Sequence, residues 1–221
     1  MVKGEPDFLN YRATPEGFSF VGSYDVPVVE GVQIPLDNIE LLGFNYSTKK
    51  EYLENGDNKI IHFFLPDMYI ERVWDNLENY AAVLNPYRAV VQPDFSQYVG
   101  MPRAMLIWQH YRRMWMAAYY QQLGITVIPA PCWSDEESFE YCFDGMPVNS
   151  CLCISTVGCM QNAEARVRFN TGLKETIKRL KPSQIIFYGN IDDGIRGMVE
   201  CPYVQVDSDM KRRIDKHKNS L

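Results

Sequence analysis

The chain has 221 residues, of which 46% are hydrophobic and 13% aromatic, with a formal net charge of −6. This composition predicts one folded domain with a sizeable core. The negative charge argues against a protein that coats nucleic acid through bulk electrostatics. No apolar run reaches the roughly 18 residues of a membrane helix, and no secretory signal pattern begins the chain, so we expect a cytoplasmic protein without a membrane partner.

The N-terminal residues 1–35 contain four prolines and four glycines without a sustained period, which predicts an irregular arm. The domain itself is expected to span residues 36–209, beginning with a strand in NIELLGFNY (38–46). The last residues, 210–221, are MKRRIDKHKNSL and predict a charged tail.

Strand and helix patterns alternate along the domain. IIHFF (60–64) is a short apolar run, and the apolar residues after it recur at three- and four-residue spacing up to Leu84, which predicts a helix. AVVQ (89–92) predicts the next strand. The segment from 103 to 122 predicts the clearest helix, with an apolar stripe opposite a polar side that carries Arg103, Gln109, His110, Arg112 and Arg113.

The second half continues the alternation. It predicts strands at 125–130, 150–156, 184–189 and 203–206, a long helix capped by Asn162, and short helices in SDEESFEYCF and DDGIRGMV. Apolar strands alternating with helices are typical of an α/β fold. We predict a single domain with a mostly parallel sheet and helices on both faces, either doubly wound or arranged as a partial barrel.

Polar residues follow the predicted strands. In parallel α/β sheets, ligands bind at the carboxyl ends of the strands, so we expect a small polar or phosphorylated ligand, such as a nucleotide, at that edge. Asp94, in the segment QPDFSQYVGMP (92–102), is the candidate catalytic residue. The candidate ligand-binding residues are Asp67, Ser96, Tyr98, Trp133, Asp135, Ser155, Thr156, Gly158, Tyr188, Gly189 and Asn190.

Each candidate also has a structural interpretation. Asp94 acts either as a base, as a ligand of a divalent cation, as an acceptor for a sugar hydroxyl, or only as a cap for the next turn. Ser155 to Gly158 either cradle a phosphate or form an ordinary loop, since the phosphate-loop and dinucleotide fingerprints are absent. Trp133 either stacks on a ligand ring or closes the core.

The cysteine and histidine patterns narrow the reaction classes. All six cysteines lie in the second half, match no zinc or iron–sulfur spacing, and predict reduced, mostly buried thiols. The three histidines, His62, His110 and His217, are never paired at i, i+2 or i, i+4. Carboxylate- or metal-assisted catalysis is therefore the enzymatic alternative that remains, and the metal requirement is unknown.

A different class of function is a module that binds DNA or a host protein without catalysis. Arg103, Arg112 and Arg113 lie on the polar side of one predicted helix, and a second predicted helix carries further basic residues. The two helices would contact phosphates if their polar faces are neighbours. The basic residues of the second helix are Arg166, Arg168, Lys174, Lys178, Arg179 and Lys181. An ordinary solvated helix face is the alternative.

Several separated motifs carry a resemblance to a known family: LPDMYIERVWDN, VVQPDFSQYVGMPRAMLIWQHYRRMWMAAYYQQLGITVIP, YCFDGMPVNS, ISTVGC and FYGN. Over residues 36–207 the chain resembles a domain family of unknown function that occurs in bacterial chromosomes, phages and plasmids, with some members labelled rolling-circle replication initiators. The resemblance implies an association with mobile elements and no mechanism. A usual initiator needs paired histidines that this sequence lacks. The family's recurrent polar positions correspond to Asp67, Asp94, Ser96, Asp144, Gly145, Gly158, Tyr188 and Gly189.

Overall fold

The structure, a computed structural model, describes residues 17–212. The start of the expected arm (1–16) and the end of the expected tail (213–221, with His217) lie outside the described residues. The described part of the arm begins with an antiparallel hairpin of β1 (Phe20–Val21) and β2 (Val26–Pro27) and then runs on without regular structure. Within the described range, no helix has the length and apolar character needed to cross a membrane.

Seven parallel strands follow the hairpin in chain order. A four-stranded sheet has the order β3, β4, β5, β6, and a three-stranded sheet has the order β7, β8, β9. The two sheets meet where the Cys153 N–H donates to the Pro129 carbonyl at 2.9 Å. The bounds are β3 (Glu40–Gly43), β4 (Lys59–His62), β5 (Ala89–Val91), β6 (Val127–Ile128), β7 (Cys151–Ser155), β8 (Gln184–Tyr188) and β9 (Tyr203–Val206).

Helices occupy the connections between strands. The predicted helix after β4 is two helices, because Asn76 between them has φ −147° and ψ 56°, outside the helical region. The long helix α5 begins after Asn162, whose side chain accepts from the Ala165 N–H at 2.8 Å, as predicted. The bounds are α1 (Lys50–Leu53), α2 (Met68–Asp75), α3 (Leu77–Leu84), α4 (Arg103–Gln122), α5 (Ala163–Leu180) and α6 (Asp193–Arg196).

Alternate strand residues enter different cores. Leu42, Ile61 and Val90 pack with the helices that follow their strands, whereas their neighbours Leu41 and Ile60 pack inward with residues from all seven parallel strands. This inner cluster also contains side chains of the arm. Its strand members are Leu41, Ile60, Ala89, Val91, Ile128, Cys151, Cys153, Ile186 and Tyr188, joined by the half-buried Val204 and Val206.

The arm covers the amino-terminal ends of the inner strands. The Cys151 N–H donates to the Val32 carbonyl at 2.8 Å, and the Gln184 side chain donates to the Ile34 carbonyl. Val32, Ile34 and Leu36 add their side chains to the inner cluster. The opposite, carboxyl ends of the strands are therefore the ones available for a site.

The predicted α/β class, with parallel sheets flanked by helices in a single domain and an irregular N-terminal region, is confirmed. Crossovers between parallel strands have one hand, so strands in consecutive order place their helices on the same face. The opposite faces then pack on each other, as the inner cluster shows. Of the two arrangements left open by the sequence, the partial barrel fits this strand order.

The polar side of α4 is buried, which corrects the expectation that it faces solvent. Gln109, His110, Arg112 and Arg113 are all buried. The partners of these groups explain this, since Arg113 donates to the Pro93 and Ala130 carbonyls and Arg112 pairs with Glu71. The hairpin also packs on α4, with Phe18 next to it in the chain and its ring centroid 5.4 Å from that of Trp115. Both sides of α4 are therefore largely covered, although Met105 and Trp108 near its start remain exposed.

Candidate functional site

The loops that follow β3–β9 form one rim, which we call the mouth: residues 44–49, 63–67, 92–102, 129–135, 156–162, 189–192 and 207–212. Ser155 and Tyr188 are register partners at the ends of β7 and β8. The charge of Asp94 contributes to the raised pKa of the buried Cys153 thiol, after burial itself and Cys151. The mouth therefore brings Asp94, Ser155 and Tyr188 to the same end of the strands, as the sequence predicted.

Asp94 is held at the mouth by a buried arginine. The Arg113 Nη2 atom lies 3.2 Å from Asp94 Oδ1, and the arginine side chain is 2% exposed while that of the aspartate is 22% exposed. The same guanidinium donates from Nε to the Pro93 carbonyl at 3.0 Å and from Nη2 to the Ala130 carbonyl. Burial raises the pKa of the Asp94 carboxyl, with Arg113 and the Cys132 thiol acting in the opposite direction.

The charge of Asp94 acts on three thiols, those of Cys132, Cys153 and Cys159. Burial raises the pKa of Cys132 well above its usual range, and the Asp94 charge adds to this. The residue Cys159 is exposed, but desolvation of its thiol group, followed by the Asp94 charge, raises the pKa of the thiol to about 11. Thiols with raised pKa values are poor nucleophiles. Within residues 17–212, no group of three or more histidine, cysteine, aspartate or glutamate side chains is arranged to hold a metal ion.

Asp67 is tied to the loop that carries Asp94. Its Oδ1 atom accepts from the Ser96 N–H at 3.0 Å and from the Ser96 hydroxyl at 2.8 Å. The Ser96 Oγ also lies 3.1 Å from the Tyr98 hydroxyl, and Gln109 donates to Asp67 Oδ2 at 3.5 Å. Asp67, Ser96 and Tyr98 are thus brought together, and Tyr98 is 67% exposed.

A second cluster, between β4 and β8, was missed by the sequence analysis as a part of the site. The His62 ring lies 4.4 Å from the Tyr188 ring, and its Nε2 atom lies 3.8 Å from Asp209 Oδ2. The Tyr188 hydroxyl accepts from the Asp209 N–H at 2.9 Å, and burial raises the pKa of Tyr188 to about 12. The sequence feature that could have revealed this cluster is a histidine inside an apolar strand, together with aspartates after the last strand.

Gly43 lies inside this second cluster. A Cβ atom at Gly43 would lie 2.6 Å from Asn45 Oδ1, 3.1 Å from Asp209 Oδ2 and 3.7 Å from a ring carbon of His62. Among residues 17–212, His62 Nε2 and Asn45 Oδ1 are both buried without a hydrogen-bond partner. Such atoms are uncommon in proteins and call for an explanation, which makes them candidate contacts for a ligand.

The loops after β7 and β8 pack on each other. Gly189 has φ +109°, and a Cβ there would lie 2.5 Å from the Thr156 hydroxyl oxygen, so only glycine fits. The Ser155 hydroxyl accepts from the Val157 N–H at 3.2 Å. Gly158 has φ +79° and is exposed, and Asn190 accepts from the Lys211 side chain at 3.4 Å.

Two candidates in the loop after β6 face a helix. Trp133 packs on α5, where a Cβ at Gly172 would lie 2.1 Å from the indole ring, and it also contacts Phe169. Asp135 accepts from the Ser138 N–H at 3.3 Å and lines a shallow groove against α5. For Trp133, the core-closing interpretation matches these contacts.

The three arginines of the alternative site differ in exposure. Arg103 is partly exposed and pairs with Glu140. Arg112 is buried, pairs with Glu71 at 2.7 Å and lies 3.8 Å from the centroid of the Phe95 ring. Since Arg113 is buried beside Asp94, the expectation that Arg112 and Arg113 face outward was wrong.

Asp144 and Gly145 hold the hairpin. Gly145 has φ +73°, and a Cβ there would lie 2.2 Å from the Pro27 carbonyl oxygen. Its own carbonyl accepts from the Val29 N–H at 2.9 Å, and the Asp144 carbonyl lies 3.1 Å from His110 Nε2. These contacts give both residues a packing role at the hairpin.

Comparison with known proteins agrees with the resemblance seen in the motifs. The chain is similar to the Gene 1 protein of Mycobacterium phage L5, with 35% identity over 191 residues that cover 85% of this chain and 80% of the phage protein. It is similar to the Gene 1 protein of Mycobacterium phage D29, with 33% identity over 188 residues that cover 85% of this chain and 67% of that protein. No solved structure matches significantly. The family model for Domain of unknown function (DUF4417) matches residues 18–202, so the chain belongs to this family.

Proposed function

We propose that the protein binds a small polar ligand at the mouth, with Asp94 as the central contact. Nucleotides and other phosphorylated compounds belong to the ligand class expected from the sequence. The observation that carries the proposal is the partly exposed Asp94 carboxylate, fixed by a buried arginine at the rim where seven strands end. Barrel-like folds place their ligands at this end of the strands.

A purely structural role explains this arrangement less well. An aspartate that only caps a turn bonds nearby backbone N–H groups, whereas Asp94 is held by a side chain from α4 that is itself removed from water. Burying a guanidinium costs several kcal/mol before its partners compensate. We take this cost as support for a functional role, because binding sites need side chains that are fixed by a supporting shell.

Acid–base chemistry is the catalytic role that the geometry supports for Asp94. Burial raises the pKa of this carboxyl above its usual value, which is the direction that suits a general acid or base. The other role considered for Asp94 is that of a ligand to a divalent cation. Residues 17–212 contain no group of three or more suitable side chains that could hold such an ion.

A thermal-shift screen tests the proposal, using nucleotides, nucleosides, sugars and divalent cations on the full chain. A ligand at about 100 times its dissociation constant adds roughly 2.7 kcal/mol to the free energy of unfolding. We expect Asp94→Asn to remove the shift and Asp57→Asn to keep it, because Asp57 precedes β4 at the opposite end of the sheet. Equal shifts in both variants would contradict the role of Asp94.

The alternative is a phage or plasmid module that binds DNA or a host protein. Burial of Arg112 and Arg113 weakens the DNA version. The host-protein version is favoured by exposed apolar side chains near the mouth, with Tyr98 67%, Met105 50% and Trp108 40% exposed. Steeply salt-dependent DNA binding that Arg103→Glu abolishes would support the DNA version. The replication-initiator label is not carried over, since this chain lacks paired histidines.

A further inference from the structure

The charges of the mouth narrow the ligand class. Its described loops contain six aspartates but only three basic residues. Lys49 lies over the Tyr46 ring, with Nζ 4.9 Å from the centroid. The aspartates are Asp67, Asp94, Asp135, Asp192, Asp207 and Asp209, and the basic residues are Lys49, Lys211 and Arg212.

The basic groups closest to these aspartates already have carboxylate partners. Lys211 bonds Asp207 at 2.7 Å. Arg212 bonds Asp209 and donates to the Leu41 carbonyl at 2.8 Å. Arg113, which reaches the mouth from α4, pairs with Asp94. A phosphate carries a charge of about −1.5 to −2 at neutral pH, and binding it here would require breaking one of these pairs.

The aspartates instead offer acceptors for hydrogen-bond donors. Asp94 and Asp209 keep 22% and 24% of their side chains exposed. Asp67 has no ion pair within 4.0 Å among the described residues, so its charge is not offset by a contacting cation. Ionised carboxylates accept and never donate, so they bind hydroxyl and amino groups well.

His62 supplies a buried donor next to Asp209, with His62 Nε2 3.8 Å from Asp209 Oδ2. Its Nδ1 atom accepts from the Phe64 N–H at 3.2 Å, and burial, followed by the charge of Arg212, lowers the pKa of His62 to about 3. The ring is therefore neutral with its proton on Nε2. That N–H has no hydrogen-bond partner within the described part of the chain, and it lies near Asp209 and Asn45 Oδ1, which is also unpartnered there.

A hydroxyl group matches this arrangement, because it accepts one hydrogen bond and donates another. It would accept from His62 Nε2 and donate to Asn45 or Asp209. The rings of His62, Phe64 and Tyr188 contact one another at 4.4–5.6 Å between centroids and form an apolar surface next to these polar atoms.

We infer that the ligand of the mouth is a neutral, hydroxyl-bearing compound, such as a free sugar or a nucleoside, and that a phosphate group weakens its binding. This inference rests on the proposed function and narrows its ligand class.

Matched pairs test the inference by isothermal titration calorimetry on the full chain. The pairs are adenosine with adenosine monophosphate, and glucose with glucose 6-phosphate. We expect the unphosphorylated member of the binding pair to bind at least about tenfold more tightly at low salt, with a smaller difference at high salt. Which pair binds distinguishes a nucleoside from a sugar.

The variant Asp67→Asn is expected to bind the phosphorylated member of a pair more tightly than the wild type does. The amide oxygen keeps the bonds from Ser96, while the negative charge is lost. We expect the disadvantage of the phosphorylated member to shrink about fivefold, with no change in the matched variant Asp57→Asn. A structural role of Asp67 would weaken both members of a pair equally, and that result would overturn the inference.

The outcomes separate the two proposals. Tighter binding of a phosphorylated member, abolished by Asp94→Asn, would overturn the inference and leave the proposed function intact. No binding by any of the four compounds or by any compound of the thermal-shift screen would overturn the proposed function together with the inference.

Discussion

At the scale of single residues, Arg113 is the side chain that fixes Asp94 at the mouth. It is buried, and its guanidinium contacts Asp94 and two backbone carbonyls. Removing one partner of a buried pair costs more than the pair itself contributes, because the remaining charge stays desolvated. Arg113 is therefore expected to matter for both stability and the ionisation of Asp94.

We expect Arg113→Met to lower the free energy of unfolding by about 3–5 kcal/mol, measured by urea denaturation. Arg103→Met is the matched control on the same helix and should leave the free energy of unfolding almost unchanged, because its pair with Glu140 is exposed. Adding Asp94→Asn to Arg113→Met should restore part of the loss, since no unpaired charge remains. A loss below 1 kcal/mol in Arg113→Met would contradict this account.

The raised pKa of Asp94 predicts how the stability of the folded protein changes with pH. The folded protein binds the Asp94 proton more tightly than the unfolded chain, so the wild type should lose stability relative to Asp94→Asn as pH rises from about 4 through the raised pKa. Denaturation of both proteins across this pH range measures the difference. A wild type that gains stability relative to the variant would show that the attraction of Arg113 outweighs burial.

At the scale of secondary-structure elements, Trp133 packs on Gly172 and so joins the loop after β6 to helix α5. Gly172→Ala places a methyl group against the Trp133 ring, and overpacking of this kind costs about 1–3 kcal/mol. In a Trp133→Leu background the same substitution should cost less, because the ring is gone. Thermal denaturation of the four proteins gives the coupling, and equal costs in both backgrounds would rule out this contact.

Most strands and helices were predictable from the sequence because their patterns are local. The apolar runs at β4, β5, β7 and β8 and the Asn162 cap carry their own signals. The burial of the polar side of α4 was not predictable, since it depends on partners elsewhere in the chain, such as Glu71 for Arg112 and the Pro93 carbonyl for Arg113. The break at Asn76 also lacked a sequence signal, because the apolar spacing continues through it.

At the scale of the whole molecule, the arrangement of the strands determines which residues meet at the mouth. The sequence predicted that Asp94, Ser155 and Tyr188 would lie at one edge, since every parallel strand points its carboxyl end the same way. It could not predict the cluster of His62, Asn45 and Asp209, because that cluster forms only when the segment after β9 folds back next to β3 and β4.

Alkylation of Cys159 tests the shared mouth most directly. Cys159 is exposed, and the charge of Asp94 influences its thiol, whereas Cys201 lies in the outer core with α5 and α6. Mass spectrometry would measure the iodoacetamide reaction at both residues, with and without the compound that gives the largest thermal shift. A ligand at the mouth predicts slower reaction at Cys159 and an unchanged rate at Cys201. An unchanged rate at Cys159 under saturating ligand would contradict a binding site at the mouth.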